Sequence, residues 1–389
     1  MTIDGFPRRP GAGPGRRTAL PPLLTLLLLV GGAVVSSCTT GGASPYPDRV
    51  RLPSLDEAYV LPTESCGHFF IVEARLNGRG PYSFLLDSGA GRTMVDPEVL
   101  ADAGIGRRID SLSVGEFSAY QVGYSPLDTH ELGAALGRPI DGILGHPVFA
   151  GALLTWDFPS AEIVITPGEL PADAEDVIAT RDDVRPFVRS RVGGAERWIL
   201  IDTGSSRGLT LQEPERLDMV SPLQPTGARA RVDGIHIVTS GRLRGIAQVG
   251  PLQVREPVVA NSVSVDLVGQ EVLRFFRITF DQRSKRVRFE RSDTAVGAPV
   301  ESSAVRSSGF ALRPDTAWAD VIRVFRDDHP VRAGDRILAI GGQDWRDRTC
   351  PTPATGPIVD PAPDTIEIRL LRDGREMTVR SPRLLVHAR

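Results

Sequence analysis

Two stretches decide the fold: Tyr82-Ser83-Phe84-Leu85-Leu86-Asp87-Ser88-Gly89-Ala90 and Arg197-Trp198-Ile199-Leu200-Ile201-Asp202-Thr203-Gly204-Ser205. Each is an apolar run of strand character ending on an acid, a hydroxyl residue and a glycine. Downstream, Ile143-Leu144-Gly145-His146-Pro147-Val148 matches Leu267-Val268-Gly269-Gln270-Glu271-Val272. Leu154-Thr155-Trp156-Asp157 with Ile163-Val164-Ile165 then answers Ile278-Thr279-Phe280-Asp281 with Val287-Arg288-Phe289. Matches that recur in the same order are an internal repeat. It predicts two lobes, 61–168 and 184–293, joined by the polar stretch Pro167 to Asp183.

Composition agrees with a turn-rich all-β protein. The chain has 389 residues, 40 Gly, 32 Pro and only 6% aromatics, and its 41% hydrophobic content is enough for ordinary cores. A net charge of −3 gives no footprint for nucleic acid.

The repeated motif suits acid–base chemistry. The strand buries the stem of the acid, the glycine permits a tight turn, and the hydroxyl can bond across a dyad. Two such loops facing each other bring Asp87 and Asp202 so close that both cannot ionise, and they share a proton. One then deprotonates a water while the other protonates a carbonyl.

Asp87-Ser88-Gly89-Ala90 and Asp202-Thr203-Gly204-Ser205 resemble the signature of aspartic peptidases, and the two apolar-apolar-Gly elements resemble the segment that threads behind the catalytic loop in that fold. The short lobes resemble the retropepsin-like branch, usually a homodimer with one signature per chain. Two signatures imply a fused pseudo-dimer, as in pepsins, over residues 66–291. The resemblance implies two β-barrel lobes, catalytic Asp87 and Asp202, supporting roles for Ser88, Gly89, Ala90, Thr203, Gly204 and Ser205, no cofactor and no metal. A monomer is then sufficient for activity.

The lobes differ. The second is longer by about a hairpin, Arg229 to Arg244, read as a flap over the cleft with Gly234, Ile235, His236 and Gly241; a surface hairpin pointing elsewhere is the other reading. Ser205 faces Ala90 in the repeat, and a hydroxyl donating to Asp202 would leave the shared proton on Asp87. Arg92 and Arg207 follow the two loops at equivalent places, either bracing the lobes or solvated, and His146 reads as a surface or loop histidine. Gly204-Ser205-Ser206-Arg207-Gly208 fits the Gly-x-Ser-x-Gly elbow, but Leu209-Thr210-Leu211 reads as strand where that chemistry needs a helix.

Residues 1–37 read as a signal segment: Arg8, Arg9, Arg16 and Arg17 precede an apolar run from Leu20 to Val35. Val35-Ser36-Ser37-Cys38 resembles a bacterial lipoprotein box, which implies lipidation at Cys38 and an extracytoplasmic, membrane-anchored location, periplasmic if the host is diderm. Residues 38–60 read as a flexible tether. Cys66 and Cys350 remain, either a disulfide or two unrelated thiols.

Residues 303–389 resemble a PDZ domain, chiefly through Gly334-Asp335-Arg336-Ile337-Leu338-Ala339-Ile340, with Ser308, Gly309 and Phe310 as the peptide-carboxylate loop. Five prolines between Pro351 and Pro363 are hostile to the groove-lining helix. The sequence thus predicts a lipid-anchored aspartic endopeptidase acting on exported proteins or peptides; its rival is an inert peptide-binding scaffold.

Overall fold

The computed structural model describes residues 44–181, 183–231, 234–262, 264–291, 295–302, 305–350, 358–359 and 365–387. The predicted signal segment and Cys38 lie outside them. The described chain is all-β, with five sheets. Among the described residues no helix is long and apolar enough to cross a membrane.

A nine-stranded sheet is built on the first half of the repeat and a ten-stranded sheet on the second. In the first, strand Arg79–Asp87 runs parallel to Gly142–Gly145, with Leu85 opposite Ile143 and Asp87 opposite Gly145. In the second, Ala195–Ile201 runs parallel to Leu267–Val268, with Ile201 opposite Val268. Strands Thr93–Val95 and Leu209–Gln212 pair antiparallel with the same apolar-apolar-Gly elements. The glycines of those elements are required by close approach. A Cβ on Gly145 would lie 2.5 Å from the carbonyl of Arg92, and one on Gly269 would strike the carbonyl of Arg207. Side chains are excluded at both places because each acid-bearing loop crosses directly over its glycine.

A third sheet joins the halves, in the order Val177–Ala179, Arg286–Glu290, Arg277–Asp281, Leu153–Asp157, Glu162–Thr166, Tyr59–Leu61. Its central pair sets Thr155 opposite Thr279, and their Oγ1 atoms lie 2.8 Å apart. Since these residues are partners in the repeat, a local two-fold axis passes between them. Trp156 and Phe280, each 1% exposed, meet edge-to-face beside it at 5.4 Å. One buried cluster runs through both halves, at about 1.5–3 kcal/mol for each large side chain removed from water.

Two predicted connectors carry more structure than expected. Within the tether, Arg49–Arg51 pairs with Phe117–Val122 and Tyr59–Leu61 with Glu162–Thr166, because Val50, Leu52 and Tyr59 pack on the core. The inter-lobe stretch contributes Val177–Ala179 to the joining sheet.

After residue 305 the strands form a three-stranded and a six-stranded sheet. Their core gathers Phe310, Val321, Ile337, Trp345, Ile368 and Leu370. Asp335, 2% exposed, accepts two hydrogen bonds from Arg372, at 2.7 and 2.6 Å, which fixes the turn of the Gly-Asp-x-Ile run. Cys66 and Cys350 are bonded, and Cys350 N–H donates to Leu136 O at 2.9 Å. This region therefore docks on the first half, and its strand Phe310–Pro314 also packs against the second-half strand Met219–Arg231.

Candidate active site

The repeat ends both acid-bearing strands at one point. Ser88 N–H donates to Thr203 Oγ1 at 2.9 Å, and Thr203 N–H donates to Ser88 Oγ at 3.0 Å. Ser88 Oγ–H goes on to Ile201 O at 2.7 Å. This reciprocal exchange joins residues 115 positions apart and is fully buried, Ser88 being 0% and Thr203 1% exposed. The loops cannot separate without leaving buried donors unpaired.

The acids lie just before these residues. Asp87 is 1% and Asp202 0% exposed. Gly204 N–H is shared between Asp87 Oδ1 at 3.1 Å and Asp202 Oδ1 at 3.0 Å, so the inner oxygens converge on one donor. A Cβ on Gly204 would fall 2.5 Å from Asp87 Cγ, so the second loop's glycine forms the floor under the first loop's carboxyl. Among the described residues none donates to either Oδ2.

The two carboxyls are loaded unequally. Burial raises both above the ordinary carboxylate range. Asp87 is held back by backbone N–H groups: Gly89 at 2.7 Å, shared Gly204, and Ala90. Among the described residues Asp202 has only the shared Gly204 N–H, and the neighbouring Asp87 charge pushes it higher. Backbone donors therefore favour the ionised form of Asp87, which leaves Asp202 the better place for a shared proton. The sequence reading placed it on Asp87. Among the described residues the Ser205 hydroxyl does not donate to the Asp202 carboxyl; it accepts from Arg207 N–H at 3.5 Å, while Ser205 N–H donates to Asp202 O at 3.3 Å.

Two contributors were not legible in the motif. Arg185 is the cation whose charge eases Asp202 downward, and Asp183 anchors it through Arg185 N–H at 3.0 Å. Gln270 Nε2 donates to Thr203 O, bracing the second loop from behind. The repeat aligns Gln270 with His146, which was the available signal. His146 is 5% exposed rather than on the surface; it packs edge-to-face on Phe280 at 5.1 Å, and burial lowers its pKa to about 3. Arg92 donates to Tyr124 O at 3.3 Å, and Arg207 faces buried Glu271. The residues after the Gly-x-Ser-x-Gly match form strand Leu209–Gln212, not a helix.

The extra hairpin is longer than predicted, Met219–Arg231 with Gly234–Leu243. Gly234, Ile235 and His236 lie at its distal end, opposite Arg231, Ala230 and Arg229. Gly241 does not. It pairs with Val259 at the base, where a Cβ would meet Ser221 O at 2.9 Å, so close strand packing explains this glycine.

In the predicted carboxylate loop, Gly309 N–H already donates to Ser307 Oγ at 3.1 Å and Phe310 is buried in the core. Ser308 O meets His329 Nε2 at 3.0 Å. No family model matches the chain, and a search of curated proteins finds no match.

Proposed function

We propose that this chain is an aspartic endopeptidase hydrolysing peptide bonds in exported proteins or peptides. The observation that carries the reading is the convergence of Asp87 and Asp202 on the Gly204 N–H across a reciprocal Ser88–Thr203 lock. Ionised Asp87 takes a proton from a water between the carboxyls, and the water oxygen attacks the scissile carbonyl carbon. Asp202 gives its proton to the carbonyl oxygen, yielding a tetrahedral diol. Collapse breaks the C–N bond: Asp87 delivers its acquired proton to the departing nitrogen, and a diol hydroxyl returns one to Asp202. The products are a carboxylic acid and an amine, and the pair is reset.

The two all-β halves are read as retropepsin-like lobes of a pseudo-dimer, and the region after 303 as a PDZ-like domain whose Asp335–Arg372 pair supports the Gly-Asp-x-Ile resemblance. The lipoprotein-like box at Cys38 supports anchoring outside the cytoplasm, and a disulfide suits an oxidising compartment.

The rival, an inert peptide-binding scaffold, draws on the near-complete burial of both acids. Peptide cleavage at mildly acidic pH by the purified chain, lost in Asp87→Asn and in Asp202→Asn, separates the two. Cleavage that survives either substitution would sink the peptidase reading.

A further inference from the structure

A second site lies away from the acid pair. A cavity of about 700 Å³ opens between the first half and the C-terminal region, lined by helix His130–Leu136 and its surroundings on one side and by Trp345, Arg346 and Arg348 on the other. That is the size of a pocket for a short peptide segment.

Arg348 is the anomaly in its wall. It is only 7% exposed, yet among the described residues no hydrogen bond or ion pair reaches its guanidinium. Its one described side-chain partner is the Trp345 ring, with the guanidinium carbon 3.7 Å from the centroid. A stack satisfies the face of the guanidinium and leaves the N–H fork along its edge without acceptors. An isolated buried cation is costly, and burial lowers the Arg348 pKa to about 10 with no carboxylate offsetting it.

The backbone that carries Arg348 is held in place. Arg348 N–H donates to Trp345 O at 3.4 Å, Cys350 N–H to Leu136 O at 2.9 Å, and the disulfide ties Cys350 to Cys66. Gly137 lies so close beneath that any Cβ there would strike Arg348 O. The other cations of the wall are neutralised, Arg138 by Glu64 at 2.7 Å and Arg346 by Asp344 at 3.0 Å. Asp96 and Asp141, also lining the cavity, accept backbone N–H groups instead.

We propose that this cavity is a carboxylate-binding site in which Arg348 grips the free C-terminus of a peptide. The planar fork matches a carboxylate bidentately. Acidic residues around the remaining wall oppose a doubly charged phosphate more strongly than a singly charged carboxylate. The site is separate from Ser308, Gly309 and Phe310, and it does not depend on the peptidase reading.

The test uses the full chain with a randomised pool of N-acetylated pentapeptides, prepared once as free acids and once as amides, at fixed ionic strength. Wild type should retain the acids at least tenfold more than the amides, and Arg348→Gln should lose that preference. Arg348→Lys, which keeps charge but not the fork, should show a preference reduced severalfold, and it stands in if Arg348→Gln does not fold. Acetate as sole competitor should displace the acids only weakly; full displacement would assign the site to small carboxylic acids and overturn the peptide claim. Equal retention of acids and amides by wild type, a preference that survives in Arg348→Gln, or tighter binding of inorganic phosphate would overturn the site itself.

Discussion

The loop Asp87–Ala90 and the loop Asp202–Ser205 share one construction, yet their acids differ in load. Each follows a buried strand, crosses a glycine of an apolar-apolar-Gly element and exchanges a backbone N–H with the other's hydroxyl. Asp87 then gathers N–H donors from both loops, whereas Asp202 keeps only the Gly204 N–H that it shares. The symmetric part holds the carboxyls together; the asymmetric part gives them unequal numbers of backbone donors. The asymmetry between the carboxyls comes from backbone donors, not from the Ala90/Ser205 difference.

The largest expected effect tests whether both acids are needed. Asp87→Asn and Asp202→Asn should each lower kcat for peptide cleavage by about 10³-fold or more, since general acid and base terms of about 10²–10⁴ are both lost; loss on one side only would break the pairing. Next, Ser88→Ala and Thr203→Ala should each cost roughly 1–3 kcal/mol in denaturant unfolding, because each strands a buried N–H of the opposite loop. The double variant should cost less than the sum, and strict additivity would mean the lock is not reciprocal.

A third prediction concerns pH. Both acids are raised on folding, so the stability linked to their proton is complete below the unfolded carboxylate range and is lost as pH rises through the raised native values. The melting temperature of wild type should therefore fall between mildly acidic and mildly alkaline pH, and that of Asp202→Asn should fall less. Parallel curves would place the higher value elsewhere. Smaller still, Gln270→Leu should cost roughly 1 kcal/mol by removing the donor to buried Thr203 O. Ser205→Ala should leave both limbs of the pH–rate curve in place, and a shift of the acidic limb would restore the hydroxyl to a role in loading Asp202.

Much of this was legible because symmetry leaves a repeated trace. The strand–acid–hydroxyl–glycine run and the apolar-apolar-Gly run each occur twice, so Asp87, Asp202, Ser88 and Thr203 could be named and their meeting expected. What broke the symmetry was harder to see. Arg185 acts from the start of the second half, outside the repeated motif, Gln270 was hidden by its partner His146 in the repeat, and backbone donors leave no residue-type signal. Gly241 was grouped with the flap, although close packing at the hairpin base accounts for it. The Cys66–Cys350 bond links positions 284 apart, and nothing in two cysteines alone could show that they meet.

Incubating a proteome-derived peptide library with the purified chain at mildly acidic pH, beside Asp202→Asn, addresses the pairing of Asp87 with Asp202 most directly. New peptide termini should accumulate with wild type and be absent with the variant. Identical digests from the two proteins, or no cleavage by either across the acidic and neutral range, would contradict a shared-proton peptidase.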